Sequence, residues 1–414
     1  MIDLDRSIAL QLERAAALDL EIEALVGEEN QLKRLQGEAD ALEGRVSRAK
    51  ATLALRGCLV GIKDIFHVDG LPTRAGSLLP LEALEGEEAA CVRLLKEAGA
   101  LVLGKTTTTE FAFFEPGPTR NPNNTAHTPG GSSSGSAAAV AAGYCPLAIG
   151  SQTVGSVIRP AAFCGVLGFK PSWGRIPSEG MLYYSPSVDT VGVFARSCAW
   201  MEVAASVLCA NWKSVGEPRL PTVGIPEGPY LAQASGEALT LFEGQVDRLQ
   251  RAGWTVRRVP LLSDIGEINA RHTRLISGEM ARVHAELFAQ YEALYRPKTA
   301  QLVRDGRAVT EREIGRARAG CVRLREEVEA AMDASDVDMW LSPAATGPAP
   351  RGLASTGDPA MNLPWTHAGL PSCAVPCQRV AGNLPMGLQC VARSGQDELL
   401  LQWVRALEGI LDYE

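Results

Sequence analysis

Histidine is scarce in this chain. Its 414 residues hold five: His67, His127, His272, His284 and His367. None stands in a recognised catalytic motif, so a serine–histidine relay has no evident base. Ten cysteines are present, but none forms a Cys-x-x-Cys pair, which argues against a zinc site and for reduced thiols of a cytoplasmic protein. No apolar run reaches the about 18 residues of a spanning helix. The most apolar segment, Ala137–Ile149, is broken by Gly143 and Pro146. Residues Met1 to Arg6 lack a basic region followed by an apolar one, so no secretory leader is expected. Clusters of Lys and Arg are also missing, and the net charge is −8, which argues against a nucleic-acid surface. Neither internal repeats nor low-complexity tracts occur. Apolar content of 46% and charged content of 21% are those of a globular protein, long enough for one large domain or two ordinary ones.

Residues 128–160 carry the most information. Gly130, Gly131, Ser132, Ser133, Ser134 and Gly135 precede an alanine run, Ala137–Ala142. Glycine lets backbone N–H groups approach a ligand, serine caps helices and alanine forms them. The pattern predicts a loop feeding a helix N-terminus, where exposed N–H groups favour negative charge. A flexible linker is excluded, because packed-looking sequence follows directly. A phosphate loop is disfavoured, because the Gly-Lys-Ser/Thr ending is absent. A short strand at Leu147–Ile149 then leads to Thr153-Val154-Gly155-Ser156, a serine on a glycine-containing turn with backbone donors beside it.

These two stretches, Gly130 to Ser136 and Gln152-Thr153-Val154-Gly155-Ser156-Val157-Ile158-Arg159-Pro160-Ala161-Ala162, resemble the signature of the amidase signature family of Ser–cis-Ser–Lys hydrolases. Within it the chain looks most like short malonamidase-type bacterial amidases, which also place the arginine three residues after the nucleophile. The resemblance covers most of the chain and is weakest in 1–50 and 264–335.

In chain order, residues 3–50 carry Leu10, Leu12, Ala15, Ala16, Leu18, Leu32, Leu35, Ala39 and Leu42 at helical spacing. Amphipathic helices packing across the core are expected; a coiled-coil dimer arm is disfavoured because the heptads do not persist. Leu59–Ile65 reads as an apolar strand interrupted by Lys63. A lysine there is costly unless neutral or paired. Pairing with Asp64 is the plain alternative; a neutral amine that accepts a proton is the functional one. Further strands are expected at Ala100–Gly104, Gly165–Lys170, Leu220–Pro226, Val256–Pro260 and Met339–Pro343. Helices are expected at Glu88–Ala98, Trp200–Leu208 and Glu237–Ala252. Residues 264–335 read as charged helices near the site mouth. There His272 and His284 suit a solvated face better than a metal. Val188 to Arg196 resembles the family stretch that closes one side of the site, and Asn362 to Gln389 its C-terminal block, whose strands rejoin the central sheet. The alternation predicts an α/β fold: one large domain over 1–414, with a central mixed, twisted sheet flanked by helices on both faces.

Around Ser156 the Gly-x-Ser-x-Gly elbow and the Ser-x-x-Lys box are both absent, and a lysine-based relay fits the residues best. The resemblance implies that Ser156 attacks the carbonyl while Ser132, after a cis peptide, bridges it to Lys63. It implies an oxyanion hole from the N–H groups of Thr153, Val154, Gly155 and Ser156, with Ser133 and Ser134 in support. Gly131, Gln152 and Arg159 are candidate substrate-binding residues. Arg159 suits a substrate carboxylate; an ion pair with Asp189 is its alternative. Val154 stands where the family usually has glycine, and a β-branched residue would be strained at positive φ. The expected reaction is hydrolysis of a small linear amide, with no cofactor or metal. Carbamate or urea cleavage is a close variant. A glutamine-dependent amidotransferase of the A type forms a second class, and a non-catalytic ligand- or partner-binding relative a third. Partners are expected to be a small-molecule amide, with neither nucleic acid nor membrane; a homodimer is allowed.

Overall fold

The computed structural model describes residues 4–49, 52–216 and 218–411. Met1 to Asp3 and residue 50, the outer ends of the stretches read above for a leader and for helices, lie outside them. Ten strands form one sheet: β1 (Leu59–Lys63), β2 (Leu101–Thr106), β3 (Leu147–Gln152), β4 (Leu167–Lys170), β5 (Thr190–Ala195), β6 (Val223–Glu227), β7 (Val256–Pro260), β8 (Met339–Pro343), β9 (Ser372–Val380) and β10 (Leu384–Val391). Their order is β2-β1-β3-β5-β4-β9-β10-β8-β6-β7. β1 lies parallel to β2 and β3, and β6 parallel to β7 and β8. The strands between these wings run antiparallel. The fold is thus a single domain on a mixed sheet.

Both faces are covered. In β2, Leu101 and Leu103 enter one apolar cluster and Val102 the other; in β3, Ala148 enters the first, Leu147 and Ile149 the second. Side chains alternate across a strand, so this division places a core on each face. The smaller core holds the alanine run Ala137–Val140 and the N-terminal helices Leu4–Ile22 and Gln31–Ala49. Those helices turn Ile8, Leu12, Ala15 and Ile22, then Leu35, Ala39 and Leu42, inward. Leu10, Leu18 and Leu32, expected in the core, are 54%, 48% and 41% exposed; they lie off the stripe that a 3.6-residue period selects.

The second helix also seals an edge of the sheet. Arg34 and Gln31 donate to the outward carbonyls of Val102 and Leu103 on edge strand β2. Unpaired strand edges invite association, and capping them blocks it. Strand β1 stops at Lys63, two residues before the expected end, because the amides of Ile65 and Phe66 fold back onto the Lys63 carbonyl. β5 was expected only as a stretch closing the site; it pairs with both β3 and β4. Among the described residues no helix is long and apolar enough to cross a membrane.

Gly135, in helix Ser134–Ala141, touches the Ala24 carbonyl and the Thr107 amide so closely that a Cβ would lie 2.2 and 2.4 Å from them. Gly135→Ala is expected to lose about 2 kcal/mol of stability through overpacking. Chemical denaturation beside wild type checks this, and an unshifted midpoint would contradict the close approach.

Candidate active site

The site forms where parallel strands β1 and β3 end side by side. Lys63 closes β1, Ser151 and Gln152 close β3, and Thr153–Ser156 form the turn into helix Ile158–Cys164. Ligand sites in α/β sheets favour such carboxyl ends. Ser132 lies in the loop before helix Ser134–Ala141, and the Gly131–Ser132 peptide is cis.

Lys63 Nζ lies 2.7 Å from Ser132 Oγ and 2.8 Å from Ser151 Oγ. Its side chain is fully buried. Burial lowers its pKa to about 7, against the opposing charge of Asp189. Asp64 is engaged elsewhere, with Lys105 at 2.8 Å, which removes the plain alternative for Lys63. A second buried lysine, Lys170, is also pushed down to about 7 by burial, but it points at the carbonyls of Pro171 and Leu370. Carbonyls cannot give a proton to an amine and hydroxyls can, so of these two lysines only Lys63 faces groups it could deprotonate.

The loop is fixed from several sides. Ser133 Oγ meets the amide and carbonyl of Ser151, and Ser134 Oγ donates to the Gly130 carbonyl. Arg159 Nη2 donates to the carbonyl of Gly131, the oxygen of the cis peptide, at 2.7 Å, and to Thr356 Oγ1 at 3.2 Å. That bond ties the helix after Ser156 to the peptide before Ser132. Arg159 is buried, yet its Nε and Nη1 have no partner. Burial lowers it to about 10, with the charge of Asp358 opposing. The ion pair with Asp189 does not form. Asp189 instead accepts from Thr153 Oγ1 and from the amides of Tyr184 and Ser185.

Among the described residues no protein acceptor takes the amides of Thr153, Val154, Gly155 or Ser156. Their neighbouring carbonyls are held: Thr153 by His272 Nε2 at 3.0 Å, Val154 by Thr366 Oγ1 at 2.7 Å. Val154 is absent from the residues with positive φ, so the feared strain at this β-branched position does not arise. Gly155 is also not at positive φ; glycine is needed there because a Cβ would lie 2.4 Å from Asn362 Oδ1. Gln152 spends its side chain on structure. Its oxygen accepts from the amides of Val157 and Ile158, and its nitrogen donates to Thr366. No hydrogen bond joins Ser156 to Ser132 or Lys63; such contacts commonly tighten only once substrate is bound.

The arrangement offers a desolvated amine, a hydroxyl bonded to it, a turn serine and free amides, the parts that acyl transfer requires. A model of the family described as Amidase matches residues 6–401. The chain belongs to this family. It is 33% identical to the A-type subunit of glutamyl-tRNA(Gln) amidotransferase from Thermus thermophilus, over 91% of this chain and 88% of that one. A crystal structure of an amidase superposes with a TM-score of 0.87 at 32% identity, covering 98% of this chain and 95% of the other. The native peptide amidase of Stenotrophomonas maltophilia gives 0.81 at 27%, covering 98% and 93%. The protein is thus an amidohydrolase by family and fold.

Three residues of this amidase site escape sequence reasoning. Ser151 carries a faint signal, a hydroxyl in a buried strand. Thr356 sits in a stretch, Gly352–Gly357, that reads only as a loop. His272 was expected on a solvated face with His284, but both are buried, His284 against Tyr295.

A base at Lys63 would act through its neutral amine. Below its pKa the amine is protonated, so turnover is expected to fall about tenfold per pH unit on the acid side and to level off above about 7. A pH–rate profile checks this; an acid limb centred near pH 4 would assign the base elsewhere.

Proposed function

We propose that this amidase hydrolyses a small linear amide through a Ser156 acyl-enzyme. The buried Lys63 amine, pushed down to about 7 and bonded to two hydroxyls, is the observation that carries the reading. Ser132 passes the Ser156 proton to the Lys63 amine as the Ser156 oxygen attacks the carbonyl carbon. The tetrahedral oxyanion lies against the free amides of the Thr153–Ser156 turn. The same path returns the proton to the leaving nitrogen as the C–N bond breaks. Water then attacks the ester, gives its proton to Lys63 through Ser132, and the acid leaves as Ser156 regains its hydrogen. Losing one oxyanion donor in such a site costs about 3 kcal/mol in the barrier. Ser133 and Ser134 shape the loop, and Gly131 contributes the carbonyl that Arg159 holds.

Arg159 supports a substrate bearing a carboxylate. Two of its buried nitrogens, Nε and Nη1, lack acceptors, and an unsatisfied buried donor favours a ligand that supplies one. The narrower likeness to malonamidase-type enzymes rests on this residue's spacing from Ser156. A second reading is favoured by the relatives: an amidotransferase A-type subunit that releases ammonia within a complex. Cleavage of a carbamate or urea C–N bond would use the same groups. We place the enzyme in the cytoplasm, as its ten free thiols suggest, with 264–335 as the variable helical segment over the mouth.

Ser156→Ala and Lys63→Ala are each expected to cut turnover at least about a thousandfold in a folded protein. Fluorophosphonate labelling is expected at Ser156 alone; full activity in either variant would remove the relay. Arg159→Ala is expected to raise KM for monoamides of diacids about tenfold more than for neutral amides of equal length. Equal rises would remove the carboxylate clamp. Ammonia release from simple amides by the isolated chain separates a free-standing hydrolase from a component of an amidotransferase complex.

A further inference from the structure

Behind the Thr153–Ser156 turn lies a chain of hydrogen bonds that the reaction above does not use. His272 Nε2 meets the Thr153 carbonyl at 3.0 Å, and His272 Nδ1 meets His367 Nδ1 at 3.1 Å. Arg271 Nε donates to His367 Nε2 at 3.1 Å. Both imidazoles are buried. A carbonyl only accepts, so His272 carries its hydrogen on Nε2. A guanidinium only donates, so His367 Nε2 is bare. Neutral His367 therefore carries its hydrogen on Nδ1 and gives it to the bare Nδ1 of His272. One arrangement satisfies every atom, and it runs in one direction, from a cation to a peptide carbonyl. The Cys321 sulfur, 3.4 Å from His367 Nδ1, is a weaker competitor for the same hydrogen.

We propose that Arg271, His367 and His272 form a positioning relay that fixes and polarises the Thr153–Val154 peptide, sharpening the Val154 N–H as an oxyanion donor. The proposal rests on Ser156 being the nucleophile of this turn. Hydrogen bonds in series strengthen one another, so a donor behind the carbonyl strengthens the N–H of the same peptide. Burial lowers His272 to about 4, and burial together with repulsion from His272 and Arg271 lowers His367 to about 2, which keeps both rings neutral. The other charge near His272 is Glu279, itself bound to Ser185, Ser187 and Arg318. Arg271 borders a surface cavity of about 580 Å³. The sequence makes room for it: a Cβ on Gly320 of the facing helix Glu311–Ser335 would lie 2.4 Å from Arg271 Nε.

Histidine ¹⁵N spectra of the full chain test the arrangement without any substrate. His272 is expected with hydrogen on Nε2 and His367 with hydrogen on Nδ1; the opposite pattern, or a cationic ring, would overturn the relay. Phosphonylation of Ser156 by a fluorophosphonate tests its effect. His272→Phe and Arg271→Met are expected to lower the maximal labelling rate about tenfold, less than loss of a direct donor, while the half-saturating probe concentration stays within about twofold. His272→Gln, whose amide can still donate to Thr153, is expected to restore most of the rate. Gly320→Ala favours the helix but displaces Arg271, and is expected to slow labelling in a protein at least as stable. Unchanged rates in His272→Phe and Arg271→Met would overturn the proposal. Absence of Ser156 labelling in wild type would instead overturn the nucleophile assignment, and the proposal with it.

Discussion

A fully buried amine held between two hydroxyls is the constraint on which this structure depends. An ammonium in the Lys63 position would be costly: the side chain is fully buried, and it forms no ion pair with a carboxylate. Its two partners are hydroxyls, which can give as well as accept. The neighbouring acid, Asp189, is committed to Thr153 and two backbone amides, so its charge is felt by Lys63 without a contact that would fix the proton.

Much of the remaining structure keeps this neighbourhood dry and rigid. Parallel β1 and β3 bring residues far apart in sequence to a common end of the sheet. The alanine helix packs closely because Gly135 lets the Ala24 carbonyl and Thr107 approach. Arg159 and Gln152 then do complementary work. One ties the helix after Ser156 to the Ser132 loop, and the other binds that helix's first amides. The Thr153–Ser156 turn is fixed through its carbonyls, by His272 and Thr366, which leaves its amides free to face a ligand.

The sequence makes the chemistry legible where polar residues break a strong local pattern. Lys63 interrupts an apolar strand, and Ser132 and Ser156 stand on glycine turns next to good secondary-structure formers. What resists reading is pairing across the fold. Asp189 looks like a partner for Arg159, and Asp64 for Lys63; in three dimensions Asp189 faces Thr153 and Asp64 faces Lys105. Gln152 looks like a pocket residue because glutamine is polar, yet its neighbours in space are backbone amides. His272 looks solvated because its helix is charged, but one face of that helix packs onto helix Leu363–His367 and the Thr153–Ser156 turn and carries His272 inward. Spacing assigns a residue to a face; only the topology says what the face meets.

The most direct measurement is the titration of Lys63 itself, followed through the ε-carbon of isotopically labelled lysine, with Lys63→Met to assign the signal and Lys170→Met to separate its buried neighbour. A midpoint near 7 for Lys63 in the folded protein is the predicted result. A midpoint near the ordinary lysine value of 10.5 would mean a charged ammonium at the centre of the site, and would contradict the account.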